Sequence, residues 1–337
     1  MKIAVIGAGA IGSLVAGYLK KAGSDVVLVS RSYAAGDIIE KGLRISGVWG
    51  ESTFSVYVVD KLQEKPDVAI LAVKTQDVEE ALKNNLEFLK DTCVMTTQNG
   101  IQADTMCSNY IPKENIVSSI VMFGSTCLKP GRIVHNFEGD WIIGKRFTKN
   151  DETIEKLQEI FAKSFNVVVS DNVAGMKYTK VFINANNCVP AIVGVSMQEV
   201  FSDVEMSRIG IAIWREGLEV VRQAGIQLES LPSFPVGRLT KLTSMPLEAA
   251  AKVFSEIMVN LSKDPLYGSI LQSIKRGKPS EIDYINGEFV AIAQQNNISA
   301  PLNEKLVAMV HEVERSCTFF SKKGLIAATR EFTQEET

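Results

Sequence analysis

The 337-residue chain is 46% hydrophobic and 22% charged, with a formal net charge of −3. That length allows two domains, each with its own core, and the composition is that of a globular protein rather than a disordered or fibrous one. The slight acidity gives no reason to expect the clustered basic surface that nucleic acid requires, so a small molecule is the expected partner.

The first element, Met1-Lys-Ile-Ala-Val-Ile6, is a short apolar strand that runs into Gly7-Ala8-Gly9-Ala10-Ile11-Gly12 and then into an apolar helical pattern (Ile11, Val15, Tyr18, Leu19). Strand, glycine turn and helix in that order are a dinucleotide-binding fingerprint. Gly7 permits the tight turn, Gly9 lets the backbone approach a pyrophosphate, and Gly12 lets the helix pack on the strand. The pyrophosphate belongs at the helix N-terminus, where unpaired N–H groups and the dipole favour an anion. The same glycines interrupt the apolar run that a signal peptide would need. The next strand, Val26–Val29, leads to Ser30-Arg31-Ser32, where an NAD enzyme usually places a carboxylate for the ribose hydroxyls. A guanidinium flanked by two hydroxyls suits a 2′-phosphate instead, so the expected cofactor is NADPH.

Further strand-like runs at 54–59, 68–73, 93–97, 116–122, 132–135, 141–143 and 167–170 alternate with helical segments near 76–89 and 151–164. This alternation predicts an α/β fold with a mostly parallel sheet covered by helices on both faces. The late strands, separated by Pro130-Gly131 and Glu138-Gly139, read as antiparallel hairpins added at one edge. Two of the central strands end in Ala72-Val73-Lys74-Thr75 and in Gln98-Asn99-Gly100. Such carboxyl ends face the ligand crevice of an open sheet, which puts Lys74 and Asn99 against cofactor or substrate.

Beyond residue 171 the pattern turns helical, with expected helices at 174–189, 196–225, 246–274, 280–296 and 302–321. The chain is therefore expected to divide into a nucleotide-binding domain, 1–171, and an all-α domain, 172–337. The uncharged stretch 181–198 is broken by Asn184, Asn186, Asn187, Pro190 and Gln198 and does not read as a membrane span. The helical half is apolar enough either to bury itself or to pair into a homodimer. Five cysteines, odd in number and without CxxC or Cys/His spacing, argue against a disulfide frame or a metal site and for a reducing, cytoplasmic setting.

Chemistry is expected from a polar stripe in the second half. Lys180 and Asn184 are spaced i, i+4 and Asn187 follows at i+7, so all three project from one face of an otherwise apolar helix. Polar groups on such a face are costly to bury unless paired, which suits them to line a wet cleft. A lysine there loses proton affinity through desolvation and becomes a usable proton donor. Further along, Ser269 follows Pro265-Leu-Tyr-Gly268. Glu281 is expected in the first turn of a helix started by Ser280 and Asp283 as a capping box.

Together these segments resemble one family. MKIAVIGAGAIG, AVKT, QNG, the Lys-x-x-x-Asn helix and, most specifically, Ser269-Ile-Leu-Gln followed by Glu281-Ile-Asp-Tyr-Ile-Asn-Gly287 look like ketopantoate reductase. The resemblance runs from Met1 to about Cys317. It implies an N-terminal Rossmann domain, an all-α C-terminal domain, and NADPH-dependent reduction of the 2-keto acid 2-dehydropantoate on the route to pantothenate and coenzyme A. Carried over by motif, Lys180 matches the general acid. Asn99, Asn184 and Ser269 match substrate contacts, and Lys74, Asn99 and Glu281 match cofactor contacts.

Three positions depart from the pattern. The family usually has asparagine eight and eighteen residues after the lysine and three before the serine, where this chain has Cys188, Gln198 and Leu266. Asn187 is the expected replacement for the first, Gln198 keeps an amide on a longer arm, and Leu266 offers no hydrogen bond. Sites that pair a substrate hydroxyl discriminate against analogues lacking it, so these changes bear on substrate choice. Two alternatives follow: a reductase of the same fold acting on another 2-keto or 3-keto acid, and a non-catalytic NADP(H)-binding regulatory protein.

Overall fold

The computed structural model describes residues 1–262 and 264–334, apart from the side chains of residues 32–34. Its chain order begins with strand β1 (Lys2–Ile6), helix α1 (Ala10–Lys21), β2 (Asp25–Val29), α2 (Ser32–Lys41), β3 (Leu43–Gly47), β4 (Ser52–Phe54) and β5 (Tyr57–Val59). It continues with β6 (Val68–Leu71), α3 (Val78–Leu89), β7 (Cys93–Thr96), α4 (Gln102–Ser108), β8 (Ile116–Val121), β9 (Gly124–Lys129), β10 (Arg132–Phe137), β11 (Asp140–Gly144), α5 (Glu152–Phe161) and β12 (Asn166–Val169). These strands form an eight-stranded sheet in the order β12-β11-β8-β7-β6-β1-β2-β5 and a four-stranded sheet in the order β4-β3-β10-β9. All neighbours in the larger sheet run parallel except β8 and β11.

Continuous apolar runs make these strands suited to a sheet covered on both sides. Alternate residues of β1 then serve different cores. Ile3 and Val5 pack with Leu14 and Leu19 of α1 and with Ile154 and Leu157 of α5, whereas Ala4 and Ile6 pack with Leu82 of α3 and Cys107 of α4. The expected antiparallel edge is corrected in its details. The β9–β10 hairpin belongs to the second sheet, and the run 54–59 is divided between Phe54 of β4 and Tyr57–Val59 of β5. The elements α2, β3, α4 and β9 were absent from the sequence reading; β3 and β9 are short and partly exposed, which blurs their alternation.

The helical half comprises the later part of α6 (Val173–Ala185), α7 (Cys188–Val193), α8 (Met197–Phe201), α9 (Val204–Gln223), α10 (Val236–Ser244), α11 (Leu247–Val259), α12 (Ser269–Lys275), α13 (Asn286–Gln295), α14 (Pro301–Ser316) and α15 (Lys322–Thr329). Its core surrounds α9. A Cβ added at Gly210 would lie 2.9 Å from Phe254, and one at Gly217 2.9 Å from Phe289 and 3.0 Å from Phe182, so these glycines let α11, α13 and α6 approach the central helix.

Several of the long expected helices are broken, one of them at a side-chain cap. Asp203 interrupts 196–225 by accepting a hydrogen bond from Glu205 N at 2.9 Å and starting α9. The span 246–274 contains a loop between Val259 and Ser269. The start expected at Ser280 is instead a 3-10 turn, Ile282–Tyr284, with the α-helix opening at Asn286. Pro235 is the N-cap of α10.

The chain separates into two compact units, Met1–Lys177 and Tyr178–Thr337. The divide thus falls inside α6, six residues later than the expected 171/172 boundary. Lys177 explains the offset, because its buried ammonium lies 3.0 Å from the fully buried Asp104 carboxylate of α4 and ties the first turns of α6 into the first unit. Among the described residues no helix is long and apolar enough to cross a membrane.

Candidate active site

In the first unit the glycine turn is shaped as the fingerprint requires. Gly7 has φ +116°, and its N–H donates to Val29 O at 2.9 Å, linking the turn to the end of β2. A Cβ at Gly7 would meet the Ala72–Val73 backbone at 2.8 Å, and one at Gly12 would sit 1.9 Å from Gly7 O. Gly9 differs. It is exposed, caps α1, and a Cβ there would come no nearer than 4.0 Å to Ala72 O. Space is therefore left over Gly9, above the first-turn amides of Ala10, Ile11 and Gly12, with Ala8 half-buried beside it. No acidic side chain occupies that first turn to repel an anion. The cradle fits a pyrophosphate.

Arg31 follows β2 and caps α2, with its side chain exposed. The Ser30 hydroxyl is buried and donates to Arg31 O at 3.4 Å, so it turns inward rather than flanking a phosphate. The other flanking hydroxyl, that of Ser32, lies outside the described side chains.

Lys74 and Asn99, both half-buried, follow the neighbouring parallel strands β6 and β7. Gln98 holds the two loops together. Its buried Nε2 donates to Leu71 O and to Val73 O, each at 2.9 Å, and its Oε1 accepts from Thr97 N at 3.1 Å. The sequence reading treated Gln98 only as part of a motif; a glutamine directly after a buried strand was the available signal.

In the second unit Lys180 and Asn184 lie on α6, but the helix expected over 174–189 ends at Ala185, so Asn187 falls past it as the N-cap of α7. Lys180, Asn184 and Asn187 are half-buried while Val181, Phe182 and Ala185 are fully buried on the core side. Burial pushes the Lys180 ammonium down to about 8. Asn187 reaches the start of α12, since a Cβ on Gly268 would lie 2.9 Å from its Cγ. That brings Asn187 beside Ser269, an exposed residue in the first turn of α12. Cys188 turns the other way: it is fully buried, and burial pushes its thiol up to about 12.

The amide of Gln198 is engaged by backbone. Nε2 donates to Ser262 O at 3.2 Å and to Asp264 O at 2.9 Å, and Oε1 accepts from Leu266 N at 2.9 Å. Gln198 was expected to face substrate; it faces the loop before Ser269.

Glu281 is half-buried, just before the 3-10 turn. A small cluster that the sequence reading missed fixes its surroundings. Glu314 accepts from Ser280 N at 2.7 Å, while His311 lies 2.9 Å from Glu314 and 2.8 Å from Asp283. Burial opposes its protonation, but these two carboxylates hold His311 above its ordinary value.

A nucleotide cradle on a parallel sheet, with a helical unit carrying a lysine of depressed proton affinity, defines the class: a nucleotide-dependent oxidoreductase. Comparison with known proteins gives the family. Residues 3–148 match the model for ketopantoate reductase PanE/ApbA, and residues 172–314 match that for its C-terminal part. The 2-dehydropantoate 2-reductase of Pyrococcus horikoshii is 30% identical over 316 residues, 93% of this chain and 98% of that protein. The Aquifex aeolicus protein of the same name is 27% identical, covering 93% of this chain and 97% of its own. The chain belongs to the ketopantoate reductase family and is an oxidoreductase of that type.

Solved structures agree on the fold. A D-mandelate dehydrogenase in ternary complex with NADH and anilino(oxo)acetate superposes with a TM-score of 0.80 at 24% identity, covering 94% of this chain and 99% of that one. A PanE/ApbA family ketopantoate reductase from Ralstonia eutropha gives 0.79 at 24% identity with the same coverage.

Proposed function

We propose that this protein reduces the ketone of a 2-keto acid, with 2-dehydropantoate as the first candidate, NADPH as cofactor and Lys180 as general acid. The observation that carries the reading is the Lys180–Asn184–Asn187 stripe, with burial setting the lysine near 8, in a member of this family. When bound, the nicotinamide nucleotide supplies the hydride that reaches C2 of the keto acid. Charge builds on the carbonyl oxygen as that bond forms, and the Lys180 ammonium stabilises it and delivers the proton, giving the 2-hydroxy acid. Solvent then reprotonates the amine.

Asn184, Asn187 and Ser269 hold the substrate carboxylate and the side chain beyond the ketone. Lys74, Asn99 and Glu281 contact the cofactor, with the turn from Gly7 to Gly12 around its pyrophosphate. Arg31 pairs with the 2′-phosphate, in the absence of any carboxylate in Ser30-Arg31-Ser32. We place the reaction in the cytoplasm, in keeping with five free cysteines.

One observation favours a second reading. Cys188 is buried in the core, the Gln198 amide is engaged by backbone and Leu266 is apolar, which leaves fewer donors for a hydroxylated substrate side chain. A 2-keto acid with a plain apolar side chain suits that surface. The deciding experiment follows NADPH oxidation with 2-dehydropantoate against 2-ketoisovalerate and aromatic 2-keto acids. A kcat/KM for 2-dehydropantoate at least tenfold above the rest supports the first reading; the reverse order supports the second.

A further inference from the structure

The segment between the C-terminus of α11 and the first residue of α12 is held in an unusual way. Leu261, Asp264, Pro265 and Tyr267 are exposed, and Leu266 packs its side chain against the helical core. Hydrogen bonds to α8 hold the backbone around it. Leu266 has both backbone groups engaged there, its N–H donating to Gln198 Oε1 and its carbonyl accepting from Met197 N, each at 2.9 Å. Gln198 Nε2 adds the carbonyls of Ser262 and Asp264. The half-buried Gln198 thus makes three hydrogen bonds to one loop, while Met197, Val200 and Phe201 anchor α8 in the core. Two residues past Leu266 comes Gly268, packed against Asn187, and then Ser269.

We propose that Gln198 is a positioning residue: it clamps Ser262, Asp264 and Leu266 and thereby sets Ser269 and Gly268 against Asn187. The part of this that concerns catalysis rests on the functional reading above; the clamp itself does not. An amide is the side chain the geometry asks for, because the loop presents two acceptors and one donor within reach of a single group. A carboxylate could accept from Leu266 but would face two carbonyl oxygens. An apolar side chain would leave all three groups to solvent.

The test is Gln198→Met, which keeps length and removes the hydrogen bonds, with Gln198→Asn as a milder variant should the first not fold. Hydrogen exchange at the Leu266 amide reads the clamp directly and is expected to quicken at least tenfold. Keto-acid kinetics should show a rise in KM of about tenfold with a much smaller fall in kcat and unchanged nucleotide affinity. Combining Gln198→Met with Ser269→Ala should give less than the product of the two single effects, as expected of residues acting through one another. Unchanged Leu266 exchange would overturn the clamp. Faster exchange with kcat/KM unaltered, or strictly multiplicative effects with Ser269→Ala, would overturn its link to the site. If a selective loss toward hydroxylated keto acids appeared without loosening of the loop, Gln198 would be a substrate contact and the proposal would fall. Should the wild type turn over no 2-keto acid, the functional reading fails, and exchange at Leu266 still decides the clamp.

Discussion

The nucleotide turn and the lysine stripe are built from different materials. The turn is backbone: its shape depends on Gly7 and Gly12 lacking a Cβ and on the amides at the start of α1. The stripe is side chain, Lys180 and Asn184 on α6 and Asn187 at the start of α7, beside fully buried core residues. A backbone cradle has few ways to change without collapsing, whereas a side-chain site can be reassigned one residue at a time. The amide of Gln198, expected from the sequence to face substrate, is engaged by a loop instead.

The largest effect should come from the stripe. Lys180→Ala is expected to lower kcat by about 10² to 10⁴ with little change in nucleotide affinity, the usual contribution of a general acid. A kcat within about threefold of wild type would remove Lys180 from that role. The pH profile sharpens the test. Ketone reduction needs the ammonium form, so kcat/KM should be level below about 8 and fall as pH rises through it. Stability has the opposite slope: between about 8 and the ordinary 10.5 the unfolded chain binds the extra proton, so raising pH through that window should stabilise the fold.

The next contrast lies within the turn. Gly9→Ala has room in the protein and an extended backbone that alanine adopts, so it should cost under about 1 kcal/mol of stability. It should nevertheless weaken nucleotide binding by about 10- to 100-fold, as charge-assisted hydrogen bonds to the pyrophosphate are lost. Gly12→Ala places a methyl 1.9 Å from Gly7 O and should lower Tm as well. Equal Tm losses for the two variants, measured by calorimetry, would mean that Gly9 is no more a ligand position than Gly12. A smaller and more selective effect belongs to Arg31→Ala, which should cut the NADPH to NADH ratio of kcat/KM by about tenfold. An unchanged ratio would remove the 2′-phosphate contact.

The two regions also differ in what a reader of the sequence can see. The turn was legible because glycine spacing records a backbone constraint, and Lys180 and Asn184 because the 3.6-residue period isolates them from their apolar neighbours; the break that sets Asn187 on the next helix was not. Side-chain partners distant in sequence were not legible. Gln198 meets Leu266 across 68 positions and Lys177 meets Asp104 across 73, and no local pattern marks either pair. Capping also defeated the reading of helix lengths: a broad apolar period continues through Ser202-Asp203, yet the Asp203 carboxylate starts a new helix there.

The smallest effect concerns the 3-10 turn after Glu281, which depends on neither backbone shape nor a polar stripe but on charge. His311 joins Asp283 in that turn to Glu314 on its own helix, and Glu314 in turn receives the Ser280 N–H. Because the folded protein raises the histidine above its ordinary value of 6.5, its contribution is full below that pH and lost as pH climbs through the folded value. Both partners are partly open to solvent, so screening limits the gain to under about 1 kcal/mol. His311→Ala should therefore destabilise more at pH 5.5 than at pH 8.5, and added salt should shrink the difference. A pH-independent loss in urea titrations would make His311 a packing residue. A loss confined to low pH would make the setting of Glu281 electrostatic, and so the part of the molecule most easily retuned without touching either the cradle or the stripe.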